Sequence, residues 1–148
     1  MSRTVETTAF IDAPPARVWR VLSDLPSWSE WNPFITEALG TLAEGERLAI
    51  RVVPPGAKGM RFTPVVLDVE AGRNLRWRGS LPVPGLFVGE HYLELAAAGE
   101  GTRLVHGERF SGLLVPLMGG TLRATRDGFE AMNAALKARV EAGNHASD

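Results

Sequence analysis

Two histidines and a glutamate, His91, His106 and Glu108, are the residues whose types and spacing could do chemistry. They fall in two segments, 87–96 and 102–110, whose alternating pattern predicts strands joined as a hairpin across Ala98-Gly99-Glu100-Gly101. In the first strand Phe87, Gly89, His91, Leu93 and Leu95 share one face, and the more polar set Val88, Glu90, Tyr92 and Glu94 shares the other. The apolar set is expected to point inward, and His91 goes with it. In the second strand Leu104, His106, Glu108 and Phe110 lie together, opposite Arg103, Val105 and Arg109. Two imidazoles and a carboxylate are therefore predicted on the inner face of adjacent strands.

Four kinds of chemistry fit such a group. The three side chains can satisfy one another by hydrogen bonds inside an apolar interior. They can line a pocket and orient a ligand's carbonyl or hydroxyl. A His–carboxylate pair can act as base and orienting group for an enolisation or dehydration. Two His and one Glu also match the ligand count of a zinc site, but no short-spaced histidine pair supports one, and no metal or other cofactor is expected.

Composition removes other classes. The chain has 148 residues, a formal net charge of −1 and no basic block, so nucleic acid is a poor partner. It has no cysteine, which excludes disulfides, thiolate metal sites and a cysteine nucleophile. No Gly-x-Ser-x-Gly or phosphate-binding glycine pattern occurs. No apolar run approaches a membrane span, and the first residues lack the apolar stretch of a signal peptide. A cytoplasmic protein is expected.

The elements that must position the polar group follow from periodicity and turn signals. Residues 4–11 read as a first strand, followed by two short helices over 14–25 and 26–31. Strands are expected over 34–39, 47–53, 61–70 and 75–80, ahead of the hairpin, for seven in all. Strands that follow one another without helices between them imply an antiparallel meander. The only long helical pattern covers 113–141, with Leu114, Met118, Leu122, Thr125, Phe129, Met132, Leu136 and Val140 on one stripe and Gly143 as its C-cap. Gly119 and Gly120 in its first turns call for close backbone approach or for ligand space. The expected fold is α+β: a curved seven-stranded antiparallel sheet closed around the C-terminal helix. One domain over 1–143 with a disordered tail at 144–148 is expected.

Ile11-Asp12-Ala13-Pro14, Val18-Trp19, Trp28 and Trp31-Asn32-Pro33 resemble the opening of the START-like superfamily, also called SRPBCC or polyketide cyclase-like proteins. Leu75-Arg76-Trp77, Gly89-Glu90-His91-Tyr92 and the run 102–112 resemble its later strands, so the likeness covers about residues 5–137. The resemblance implies a helix-grip fold with a cavity between sheet and long helix for a lipid, isoprenoid or aromatic metabolite, held as carrier or sensor. The runner-up is an aromatic polyketide cyclase or dehydratase, an activity the same superfamily includes, with His91, His106 and Glu108 as acid–base groups. Without cysteine the Rieske branch is excluded. The expected ligand-binding residues are Trp31, Phe62, Trp77, His91, His106, Glu108, Met118 and Leu122. Core packing is the competing role for the large apolar ones, Met60 included. The loop 54–59, with Lys58, is a candidate lid.

Overall fold

The structure, a computed structural model, describes residues 2–146, the last three by their backbone alone. A ten-residue strand β1 (Ser2–Ile11) leads into α1 (Pro15–Leu22), a 3-10 turn (Leu25–Ser27) and the single-turn α2 (Trp28–Trp31). Then come β2 (Ile35–Leu39), β3 (Ala49–Val52), β4 (Met60–Phe62), β5 (Val65–Glu70), β6 (Asn74–Ser80), β7 (Val88–Ala98) and β8 (Gly101–Ser111), and finally α3 (Gly119–Ala146). The architecture is α+β and antiparallel throughout, with β1-β8-β7-β6-β5 in one sheet and β2-β3-β4 in a second.

Among the described residues, eight strands in two sheets correct the expectation of seven in one. The expected strand 61–70 breaks at Thr63-Pro64. Pro64 has no N–H to give to a ladder, and the chain changes partners there: β4 pairs with β3, β5 with β6. Backbone bonds from Leu48 N–H to the Pro64 carbonyl and from Val66 N–H to the Glu46 carbonyl stitch the two sheets where they part.

The helix also differs from its expected span. Residues 113–118 form a loop with a 3-10 turn (Val115–Leu117), because the amides of Leu113 and Leu114 bond to the carbonyls of Gly85 and Leu86 rather than entering a helical ladder. At the far end α3 runs through Gly143, which has no left-handed φ and caps nothing, to Ala146. The expected boundary after residue 143 thus falls inside the helix, and 147–148 lie outside the described residues.

The apolar stripe of α3 is buried as the periodicity requires. Phe129, Met132, Leu136 and Val140 lie in the core with Val5, Leu93 and Leu104 of the large sheet and Val18 and Leu22 of α1. Trp28 is fully buried and gives its indole N–H to the Leu22 carbonyl at 3.0 Å, which locks α2 against the end of α1. Strand parity holds on the outer face: Arg76 bridges Glu90 and Glu94 at 3.0 Å each, and the Tyr92 hydroxyl donates to Glu6 at 2.6 Å. The inner face, and with it the polar group of the hairpin, is turned toward α3.

Candidate functional site

The hairpin β7–β8 builds the site by register. His91 and Glu108 are directly opposite one another, and His106 lies opposite Leu93, one diagonal step away on the same face. His91 Nδ1 faces Glu108 Oε1 at 3.3 Å, and its Nε2 faces Nε2 of His106 at 2.9 Å. His106 Nδ1 in turn meets Oδ1 of Asn133 at 2.7 Å. The Asn133 amide nitrogen donates to the Thr7 hydroxyl at 2.8 Å, and Thr7 donates to the His106 carbonyl at 3.0 Å. Five residues from β1, β7, β8 and α3 thus make one continuous hydrogen-bonded chain through the core.

Aromatic rings hold the imidazoles flat. His91 stacks on Trp77 at 4.7 Å, and His106 stacks on Phe129 at 4.0 Å, while Phe129 also meets His91 edge-on at 5.1 Å. His106 is completely enclosed. Burial, followed by the neighbouring His91, pushes its pKa well below the ordinary histidine value, partly countered by the bond to Asn133. It is a neutral imidazole at physiological pH.

Above the Glu108 end of the chain lies a cavity of about 310 Å³ between the two sheets and the start of α3. Its walls are mainly apolar, including Phe34, Ile50, Phe62, Trp77, Phe87 and Phe110. Thr121, Ala124 and Thr125 form the helix side, and Lys58 stands in the loop 54–59 at its edge. Ser80, Thr121 and Thr125 also line the cavity, and Glu108 and His91 supply the one hydrogen-bonded polar pair of the wall. Gly89 makes room for it, since a Cβ at that position would collide with Glu108 Oε2.

Among the residues singled out in the sequence, Phe62, Trp77, His91, Glu108 and Met118 line this cavity. Three others do not. His106 lies behind His91, bonded on both sides. Leu122 is roughly 100° around the helix from Thr121 and faces a separate groove beside Arg3 and Val5. Trp31 packs on Trp28, with ring centres 5.8 Å apart, and Trp28 in turn packs on Trp77 of the cavity wall. Met60, an expected interior residue, lies 59% exposed at the cavity edge.

Gly119 and Gly120 neither approach the sheet nor line the cavity. A Cβ on either would meet only the Arg123 guanidinium, at 3.8 Å, and both lie in the opening turn of α3. The close approach belongs to Gly128, where a Cβ would strike the ring of Phe34. The sequence reading missed Asn133, Gly89 and Gly128. For Gly128 a signal existed, a glycine in mid-helix. For Asn133 the signal was its place four residues after Phe129 and three before Leu136, at the edge of the apolar stripe, but nothing in the sequence names its partners. Among the described residues no three His, Asp or Glu side chains converge as a metal site.

The fold and site together define a cavity-bearing α+β protein in which an antiparallel sheet and a long C-terminal helix enclose an apolar chamber with one buried polar patch, consistent with the helix-grip arrangement. The chain belongs to the family described as polyketide cyclase/dehydrase and lipid transport, which matches residues 2–141. No curated protein sequence matches it. Solved structures with the same fold include the Zhui aromatase/cyclase from Streptomyces sp. R1128, with a TM-score of 0.79 at 18% identity over 95% of this chain and 94% of that one. TTHA0849 from Thermus thermophilus superposes with a TM-score of 0.73 at 24% identity, covering 95% and 99% of the two chains. Ara h 8.0201 does so with a TM-score of 0.73 at 16% identity, covering 96% and 99%. At these identities the likeness is one of fold. No helix among the described residues is long and apolar enough to cross a membrane.

Proposed function

We propose that this protein binds one hydrophobic or amphipathic small molecule, a lipid, isoprenoid or aromatic metabolite, in the cavity between sheet and α3, as carrier or sensor. The observation that carries the reading is an apolar chamber of about 310 Å³ with a single hydrogen-bonded carboxylate–imidazole pair in its wall. Apolar walls supply affinity, and a few fixed polar atoms supply orientation. Phe62, Trp77 and Met118 are the apolar contacts, and Glu108 with His91 is the polar one. A family whose description joins lipid transport to cyclisation and dehydration supports a ligand of this kind.

A second reading, cyclisation or dehydration of an aromatic polyketide, draws on the same pair. Glu108 would take a proton from an enolisable carbon, and His91 would hold the carboxylate in place. His106 has no route to a substrate in this scheme. Its part is to position His91.

The apolar fluorophore ANS tests the binding reading. Saturable one-to-one binding that raises the melting temperature is expected, because a ligand held only by the native state stabilises it by mass action. Fluorescence without thermal stabilisation would reduce the effect to surface adhesion and defeat the reading.

A further inference from the structure

The hydrogen-bonded chain behind the cavity has a direction, and it is fixed at the end far from the cavity. Thr7 has one hydroxyl proton, which it donates to the His106 carbonyl. Its oxygen must therefore accept from Asn133, whose NH₂ faces it at 2.8 Å. That orientation turns the amide oxygen of Asn133 to His106 Nδ1, which must carry a hydrogen. His106 is enclosed and neutral, so its second nitrogen is bare. His91 Nε2 must then be the donor across the 2.9 Å contact between the two rings. The last link, between His91 Nδ1 and Glu108 Oε1, holds a single proton. Whether that proton sits on the nitrogen or on the oxygen, it lies on the Oε1 side. Glu108 Oε2 carries none, and among the described residues no hydrogen bond reaches it.

We infer that the polar end of the ligand is a hydrogen-bond donor, an alcohol or a phenol seated on Glu108 Oε2, and that the site discriminates against ketones and aldehydes. A carbonyl placed there would set lone pair against lone pair. Moving the single proton to Oε2 would satisfy the carbonyl but leave Oε1 and His91 Nδ1 facing each other bare. The amide of Asn133 and the hydroxyl of Thr7 supply no second proton from behind, and one taken from solvent onto Oε2 would leave an uncompensated imidazolium charge on His91 in an otherwise apolar wall. Asn133 is thus a positioning residue, 27 positions from His106 and on another element, that sets which functional group the cavity accepts. The inference rests on the cavity-binding reading and narrows it.

Three probes on one bicyclic frame test it: 2-naphthol, 2-methoxynaphthalene and 2-acetylnaphthalene, titrated calorimetrically into the full chain at pH 7. The naphthol is expected to bind at least about tenfold tighter than either other probe, as a hydrogen bond to a charged or charge-sharing acceptor warrants. The order runs against hydrophobicity, since the methyl ether is the more apolar compound. Glu108→Gln should keep the preference, because its NH₂ donates to His91 Nδ1 and its carbonyl oxygen then faces the cavity. Glu108→Leu should level the three probes to within about twofold. Equal or tighter binding of the acetyl compound to the wild-type chain would overturn the inference while sparing the cavity. Failure of all three to bind would bring down the cavity reading itself and the inference with it. Imidazole ¹⁵N spectra give a readout independent of any ligand: His106 as the Nδ1–H tautomer and His91 protonated at Nε2 are expected, and His106 found as the Nε2–H tautomer would refute the chain's direction.

Discussion

At the scale of the residue, the site is a problem in satisfying buried polar atoms. Every polar atom of the His91, His106, Asn133 and Thr7 side chains has a partner, and only Glu108 Oε2 is left for the cavity. Glu108→Ala removes the partner of His91 Nδ1, and because the site is partly open the expected loss of stability is about 1–2 kcal/mol, measured by denaturant unfolding. His106 should leave its mark on the pH dependence. Its folded pKa is lowered by burial, so below about pH 6.5 the unfolded chain takes up a proton that the folded chain refuses. Stability therefore falls as pH drops from 6.5, by up to about 1.4 kcal/mol per pH unit from this residue, and is level with respect to it above 6.5. Melts of wild type and His106→Gln between pH 7.5 and 5 check this: the variant should be weaker at neutral pH but should lose that part of the slope. His91 and Glu108 were legible from strand parity, because a period of two and a four-residue turn fix what lies opposite what. Asn133 was not. Its partners lie 27 and 126 positions away, and only the packing of α3 on β1 and β8 brings them together.

At the scale of the element, most strands and the helix stripe could be read from periodicity, and the misreadings have local causes. The break at Pro64 was present in the sequence as a proline inside an apparent strand, yet the alternation on both sides of it hid the change of sheet. The start of α3 was placed too early because Leu114 and Met118 continue the apolar spacing although the backbone of 113–114 serves the loop after β6. Helical spacing reports which side chains turn inward. It does not report where the amides find their partners. The glycines of α3 show the same limit. Gly119→Ala and Gly120→Ala should be tolerated and stabilise by up to about 1 kcal/mol each, less if the first turn frays. Gly128→Ala should cost about 1–3 kcal/mol, since the new methyl must displace Phe34, which packs edge-on against Phe129 at 5.6 Å and also lines the cavity. Thermal melts of the three variants separate the positions. A neutral Gly128→Ala would show that Phe34 can swing aside freely.

At the scale of the whole molecule, two sheets parted at Pro64 and one long helix leave a chamber that no core side chain fills. The chamber sits on the side of the fold where α3 begins, and the large sheet packs tightly on its later turns. This division of the helix, with early turns on the cavity and late turns in the core, lets binding and stability be altered separately. Ala124 lies on the cavity side, so a larger side chain there should occupy ligand space without disturbing Met132, Leu136 or Val140. The most direct measurement is therefore a titration of ANS, followed by fluorescence and by melting temperature, into the wild-type protein and into Ala124→Phe. One saturable site and a raised melting temperature are expected for the wild type, and loss of both for a variant that still unfolds cooperatively. Unchanged ANS affinity in a folded Ala124→Phe would place the ligand outside the cavity and overturn the cavity as the binding site.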